Sequence, residues 1–277
     1  MRTKRFVAGW IASVLLCSLG VCAQSYVEWV DSAYACIARD SLAQAELCLK
    51  RAVETEPAGR SNAVLFSSLG QLQRRQGKHA EAVQSYSLAL NYSPLNVPVL
   101  LGRAAAYMEL GNEERAYVDY CNVLDQDADQ QEALMLRAYI AVHKHAYDVA
   151  RADYTRLLGM DAGNADALFG LALLNQKQKR LREATEQLSD LVRRFPGNET
   201  YLLARADVLA ERGQHDLALI DQEEAIRYAP DDAFAYVSRA ETLLQMKRKR
   251  EARKDLDRAV ALGLPRADLE DMYKRCR

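Results

Sequence analysis

Residues 97–130 read VPVLLGRAAAYMELGNEERAYVDYCNVLDQDADQ, and residues 131–164 read QEALMLRAYIAVHKHAYDVARADYTRLLGMDAGN. Laid one beneath the other, they put Arg103 over Arg137, Ala104 over Ala138, Ala116 over Ala150 and Asp119 over Asp153. The step is 34 residues, and self-similarity at a fixed period of that size marks a helix-turn-helix repeat. Outward from this pair, the same step links Gly70, Ala104, Ala138, Ala172, Ala206 and Ala240, and also Pro94, Ala128, Ala162, Pro196 and Pro230. Seven units follow, at 26–59, 63–96, 97–130, 131–164, 165–198, 199–232 and 233–266, with a three-residue insertion from Arg60 to Asn62 after the first. Counting places within a unit, place 20 is alanine in all seven: Ala45, Ala82, Ala116, Ala150, Ala184, Ala218 and Ala252.

The local chemistry predicts two helices per unit. A first helix of about 14 residues closes near Gly77, Gly111 or Gly213, where glycine adopts the left-handed conformation that ends a helix. A second stops where proline forbids continuation. Apolar residues recur at three-to-four spacing, as in Leu65, Leu69 and Leu72, then Ala82, Tyr86, Ala89 and Leu90. Two such helices cannot bury their stripes alone, so neighbouring units must stack. After Pro265, residues 267–277 read as a polar capping helix.

The pattern resembles the tetratricopeptide repeat family over essentially all of Tyr26 to Leu264. That family has a small residue at place 8, alanine at places 20 and 27, and proline at place 32. Here place 8 is Ala33, Gly70, Ala104, Ala138, Ala172, Ala206 and Ala240. Place 27 departs to Val123, Leu157 and Leu191 in the middle units, and place 32 to Ala128 and Ala162. The resemblance implies an all-α fold, a right-handed superhelical α-solenoid of tandem repeats. It also implies a protein or peptide partner held in a concave groove lined by places 2, 5, 6 and 9 of the first helices. Some members grip a terminal carboxylate there with lysine, asparagine and arginine; this sequence instead offers Leu101, Met135, Leu136, Tyr139, Phe169, Leu173 and Leu203. Gly102, Ala105, Gly170 and Ala204 leave space among them, and Glu132, Asp166, Asp207 and Glu241 form acidic edges. The expected ligand is an apolar stretch or amphipathic helix; the alternative is that these side chains pack internally or are covered by another subunit.

Comparison between units adds a charge pattern. Place 7 is arginine in Arg103, Arg137, Arg205 and Arg239, and in those same units place 23 is aspartate: Asp119, Asp153, Asp221 and Asp255. Units without one lack the other: Leu69 goes with Ser85, Leu171 with Gln187 and Ser32 with Cys48. A bridge within each of the four units is therefore expected, joining its two helices. Cys36 and Cys48 face each other across the first turn, because side chains lean toward the start of their own helix. A disulfide between them is expected, against the alternative of two reduced core cysteines.

The first 23 residues read as a secretory leader. Arg2, Lys4 and Arg5 precede an uncharged apolar run from Phe6 to Val21, followed by the small-residue site Val21-Cys22-Ala23. The alternatives are an uncleaved anchor, for which the run is short, and lipid attachment at Cys22, giving a lipid-anchored subunit of an outer-membrane assembly or transport complex. An exported protein, most simply periplasmic, is expected, with no membrane insertion after cleavage. Removing the leader deletes three positive and no negative charges, taking the formal net charge from -1 to -4, so nothing in the bulk charge points to nucleic acid.

No phosphate loop, His-Glu-x-x-His, Cys-x-x-Cys or nucleophile elbow is present. His143 and His145 are two apart, Asp125, Asp127 and Asp129 lack the rest of a calcium loop, and His79, His215 and the run Lys247 to Arg250 read as solvated turns. Neither an enzyme nor a cofactor is expected. An interaction scaffold of the bacterial envelope is.

Overall fold

The structure is a computed structural model that describes residues 25–57 and 59–277, in two compact units divided between Tyr92 and Ser93. The expected leader and Cys22 lie outside the described residues. The first unit holds α1 (Tyr26–Ala38), α2 (Leu42–Thr55), α3 (Asn62–Arg75) and α4 (His79–Tyr92). The second holds α5 (Val97–Glu109), α6 (Glu113–Gln126), α7 (Gln131–His143), α8 (Tyr147–Met160), α9 (Ala165–Lys177), α10 (Leu181–Arg194), α11 (Glu199–Glu211), α12 (His215–Tyr228), α13 (Ala233–Gln245) and α14 (Lys249–Ala261). A 3₁₀ turn (Arg266–Leu269) and α15 (Glu270–Arg275) follow. Odd-numbered helices up to α13 are the first helices of the repeats and even-numbered ones the second, each packed on its partner and, within a unit, on the next repeat.

The helix ends repeat with the sequence. Place 34 caps the first helix of the next repeat: the side chains of Asn96, Gln130, Asn164, Asn198 and Asp232 accept hydrogen bonds from backbone N–H groups of α5, α7, α9, α11 and α13. Each such cap contributes about 1 kcal/mol. Place 15 closes the first helix in the left-handed region in every repeat. It is glycine at Gly77, Gly111 and Gly213, and Asp40, His145, Lys179 and Lys247 take the same conformation with φ of 57 to 60°. The following N–H then donates to the carbonyl five residues back, as Arg180 does to Asn175 at 2.8 Å, which satisfies a carbonyl the helix leaves open.

Close helix crossing comes from small residues. The alanines at places 8 and 20 are completely buried, and a side-chain carbon on Gly70 would stand 2.7 Å from the ring of Tyr86. The first repeat closes its own exposed side. Places 3 and 10, buried in the later repeats by residues such as Leu65, Leu72, Val99 and Ile140, carry the exposed Glu28 and Ala35 in α1. At the other end α15 occupies the register of an eighth first helix. Its buried Tyr273 stands at place 7 and donates its hydroxyl to Asp257 at 2.8 Å, while Arg275 donates to both carboxylate oxygens of Glu241.

Place 23 faces the first helix of its own repeat, buried in five repeats and half-buried at Cys48 and Gln187, and its partner decides how the two helices are joined. In four repeats a forked arginine supplies it: Arg103 to Asp119, Arg137 to Asp153, Arg205 to Asp221 and Arg239 to Asp255, each by two hydrogen bonds of 2.7 to 2.8 Å. These bonds, against the cost of burial, raise the pKa values of Arg103, Arg137 and Arg239 above the usual arginine value. In two of the repeats without this arginine the partner is place 11. Ser85 donates to Gln73 at 2.7 Å, and Asn175 donates to Gln187 at 2.9 Å.

The first repeat places Cys36 and Cys48 in these same two positions. The expected disulfide is absent: both are free thiols. They sit side by side in the apolar cluster of Ala33, Ala45, Leu49 and Ala52, where burial first, and then the neighbouring Cys36, push the Cys48 thiol up. They fill the place 11 to place 23 contact as a pair of small, weakly polar side chains.

Between repeats, place 21 reaches forward. In α2 the buried Glu46 accepts hydrogen bonds from Gln73, Gln76 and Lys78 of the next repeat at 3.2, 3.1 and 2.8 Å, and pairs with Lys50 on its own helix at 2.7 Å. Burial alone would raise its pKa, but the bonds from Lys50, Lys78 and Gln73 outweigh it and lower the value to about 2. In α8, Arg151 makes the equivalent reach, donating to Asn175 at 2.7 Å and to Gln178. His79 and His215, read from sequence as solvated, are half-buried first residues of α4 and α12.

Candidate functional site

The side chains at places 5, 6 and 9 of the second unit are positioned by four consecutive first helices, α5, α7, α9 and α11. Leu101 lies on α5, Met135, Leu136 and Tyr139 on α7, Phe169 and Leu173 on α9, and Leu203 on α11. All are half-buried except Tyr139, which is 45% exposed. Three of these helices, α5, α7 and α11, are held from behind by a place 7 arginine gripping the second helix of the same repeat, and α9 by the Asn175 to Gln187 hydrogen bond.

Within the face the contacts are aromatic. Phe169 packs on Tyr201 with ring centres 5.1 Å apart, and Tyr139 meets the ring of His143 edge-on at 4.2 Å. Gly170 does not leave the space its sequence implied. The buried Tyr154 of the preceding repeat fills it so closely that a side-chain carbon on Gly170 would fall 2.5 Å from the ring. Burial first, and then the nearby Asp153 and Tyr139, push the Tyr154 phenol up to about 12.

The acidic edges differ from one another. Glu132 and Asp166 are exposed, whereas Glu241 is held by Arg275. Asp207 is open at the surface and accepts a hydrogen bond from Ser238 at 2.9 Å, and Ser238 in turn accepts one from the buried Gln222. Desolvation by the surrounding protein raises the Asp207 pKa, with the Ser238 bond opposing and the Glu211 charge reinforcing. Among the described residues no basic side chain pairs with Asp207, so a cation arriving from outside finds a carboxylate without a counter-charge.

Sequence reasoning missed other exposed apolar side chains on the first helices. In the first unit these are Val27 and Tyr34 on α1 and Val64 on α3, at places 2, 9 and 2; in the last repeat Phe234 of α13 is at place 2. The register rule that selected the middle-repeat residues also selects these. Among the described residues no group of three or more metal-ligating side chains comes together, and no helix is long and apolar enough to cross a membrane.

Two models of the tetratricopeptide repeat match this chain, over residues 67–133 and 141–208. A solved tetratricopeptide repeat protein from Parabacteroides merdae is 30% identical, with the match covering 91% of this chain and 99% of that one at a TM-score of 0.74. YrrB, described as a tetratricopeptide repeat protein with an unusual peptide-binding site, is 19% identical over 65% of this chain and 93% of its own, with a TM-score of 0.50. Among curated proteins, Sperm-associated antigen 1A of Danio rerio is 26% identical over 198 residues, 68% of this chain and 44% of that protein. The chain thus spans less than half the length of the curated relatives it matches.

Proposed function

The chain belongs to the tetratricopeptide repeat family, and on that premise we propose that it is a non-enzymatic scaffold of the bacterial cell envelope that holds an apolar or amphipathic segment of a partner protein. Tetratricopeptide repeat domains bind protein or peptide partners, which gives the general role. The observation that carries the specific reading is the first-helix face of the second unit. Leu101, Met135, Leu136, Tyr139, Phe169, Leu173 and Leu203 keep part of their surface in water, on helices tied to the second helix of their repeat by a bidentate bridge in α5, α7 and α11 and by the Asn175 to Gln187 hydrogen bond in α9. A rigid face with partly exposed apolar side chains gains by covering them, at roughly 25 cal/mol for each Å² removed from water. A helix with anchors at three-to-four spacing suits such a surface.

The charge at the margins gives a direction to this partner. Asp207, with which no basic side chain pairs among the described residues, favours a lysine or arginine flanking the apolar stretch. The envelope location, periplasmic after leader removal, is supported by the positive start, apolar run and small-residue cleavage site of residues 1–23.

Alanine substitution of Met135, Tyr139 and Phe169, scored by recovery of partners from cells, tests the binding face. The expected result is loss of partners with the melting transition little changed for Tyr139→Ala, the most exposed of the three at 45%. Partner recovery unaffected by all three substitutions would remove this face from the function.

A further inference from the structure

The second helices carry a surface that the first-helix face does not use. Between α10 and α12, the second helices of the fifth and sixth repeats, the structure has two adjoining hollows of about 510 and 420 Å³ that share Thr185, Ser189 and Arg212. Their origin is a single register position. Place 21, which in Glu46 and Arg151 is a long charged side chain reaching the next repeat's places 11 and 14, is the short Thr185 in the fifth repeat. Facing it at places 11 and 14 of the next repeat are Leu209 and Arg212; Arg212 reaches across to Thr185, and the two hollows open beside that contact.

The chemistry of the walls selects an occupant. Arg182 pairs with Glu186, Arg193 with Asp190 and Arg205 with Asp221. Among the described residues Arg212 has no such partner: its Nη1 donates at 3.0 Å to the hydroxyl of Thr185, which is itself committed to the carbonyl of Leu181. One guanidinium at the junction of the two hollows is therefore left without a carboxylate. Beside it Leu217 and Ile220 of α12 stand 49% and 58% exposed. Arginine's planar fork matches a carboxylate in a way that the single Thr185 oxygen does not.

We infer that this groove binds a short segment of a partner protein carrying one carboxylate beside a branched or aromatic apolar side chain, the carboxylate on Arg212 and the apolar group on Leu217 and Ile220. The surface is separate from the first-helix face, so the two engage different segments and its failure leaves the first-helix reading untouched.

The test is selection from a phage-displayed random heptapeptide library on the protein purified from the cells that make it, followed by titration of the fluorescein-labelled winners. The expected winners place Asp or Glu next to Leu, Ile, Val or Phe. Their affinity falls at least tenfold on Arg212→Gln and on Ile220→Glu, is partly kept by Arg212→Lys, and is unchanged by Tyr139→Ala. Arg212 and Ile220 are exposed, and thermal melts check that each variant keeps its fold. A selection that yields no such peptides overturns the inference, as do winners that bind Arg212→Gln and Ile220→Glu as tightly as the unsubstituted protein.

Discussion

Arg137 grips Asp153 with two parallel hydrogen bonds, Nε to Oδ2 at 2.8 Å and Nη2 to Oδ1 at 2.7 Å, and its remaining nitrogen donates to Cys121 of the preceding repeat at 3.8 Å. One side chain thus joins both helices of its own repeat to the second helix of the repeat before it. Asp153 is 3% exposed, so removing the arginine strands a buried carboxylate. Arg137→Leu or Asp153→Leu alone is expected to cost about 3 to 5 kcal/mol, and the double substitution clearly less than their sum. Urea denaturation of the four proteins measures the difference; strict additivity would mean that the pair contributes no coupling.

The left-handed turns give a prediction of opposite sign. Lys179 holds φ at 59° where three other repeats have glycine. Lys179→Gly is expected to stabilise the protein by about 0.5 to 1 kcal/mol, because the side chain's clash with its own backbone disappears. Gly111→Ala is expected to destabilise by a similar amount. Thermal melts of both variants check the pair of signs.

Gly170 is a packing position. Gly170→Ala drives a methyl group against the Tyr154 ring and is expected to cost about 1 to 3 kcal/mol. In a Tyr154→Leu background, where the ring is gone, the same substitution is expected to cost less. An equal cost in both backgrounds, read by denaturant titration, would contradict the contact.

Acid acts on the first unit through Glu46. Its folded pKa of about 2 lies below the ordinary glutamate value of 4.5, so the stability it supplies is present above about pH 4.5 and is lost as pH falls toward 2. The loss over that window is on the order of 3 kcal/mol. Stability measured against pH should show the protein and its Glu46→Gln variant converging between pH 4.5 and 2; a constant gap would show that the carboxylate's charge is not what holds α2 to α3.

The repeat length was legible because alanine at place 20 recurs seven times, and the place 7 arginines were visible because their aspartates vary with them. The role of place 11 was not, since repeats 1, 2 and 5 fill its contact with place 23 using Cys36 and Cys48, Gln73 and Ser85, and Asn175 and Gln187, so that neither place holds the same residue twice. Glycine announced three of the left-handed turns. Asp40, His145, Lys179 and Lys247 gave no such sign, because there the backbone bonds of the helix end impose the conformation on an ordinary residue. Gly170 shows a further limit: a missing side chain says nothing about which neighbour occupies the gap. The apolar composition of the first-helix face was readable, whereas the open junction at Thr185 depends on two side chains of adjacent repeats and emerges only in three dimensions.

The most direct test of the interaction reading is site-specific photocrosslinking in living cells, with p-benzoylphenylalanine at Tyr139 on the first-helix face and, as a control, at the exposed Val118 of α6. Adducts identified by mass spectrometry at Tyr139 and absent at Val118, and lost when Met135→Ala and Phe169→Ala are added, are the predicted result. A crosslinker at Tyr139 that captures no protein would contradict the account.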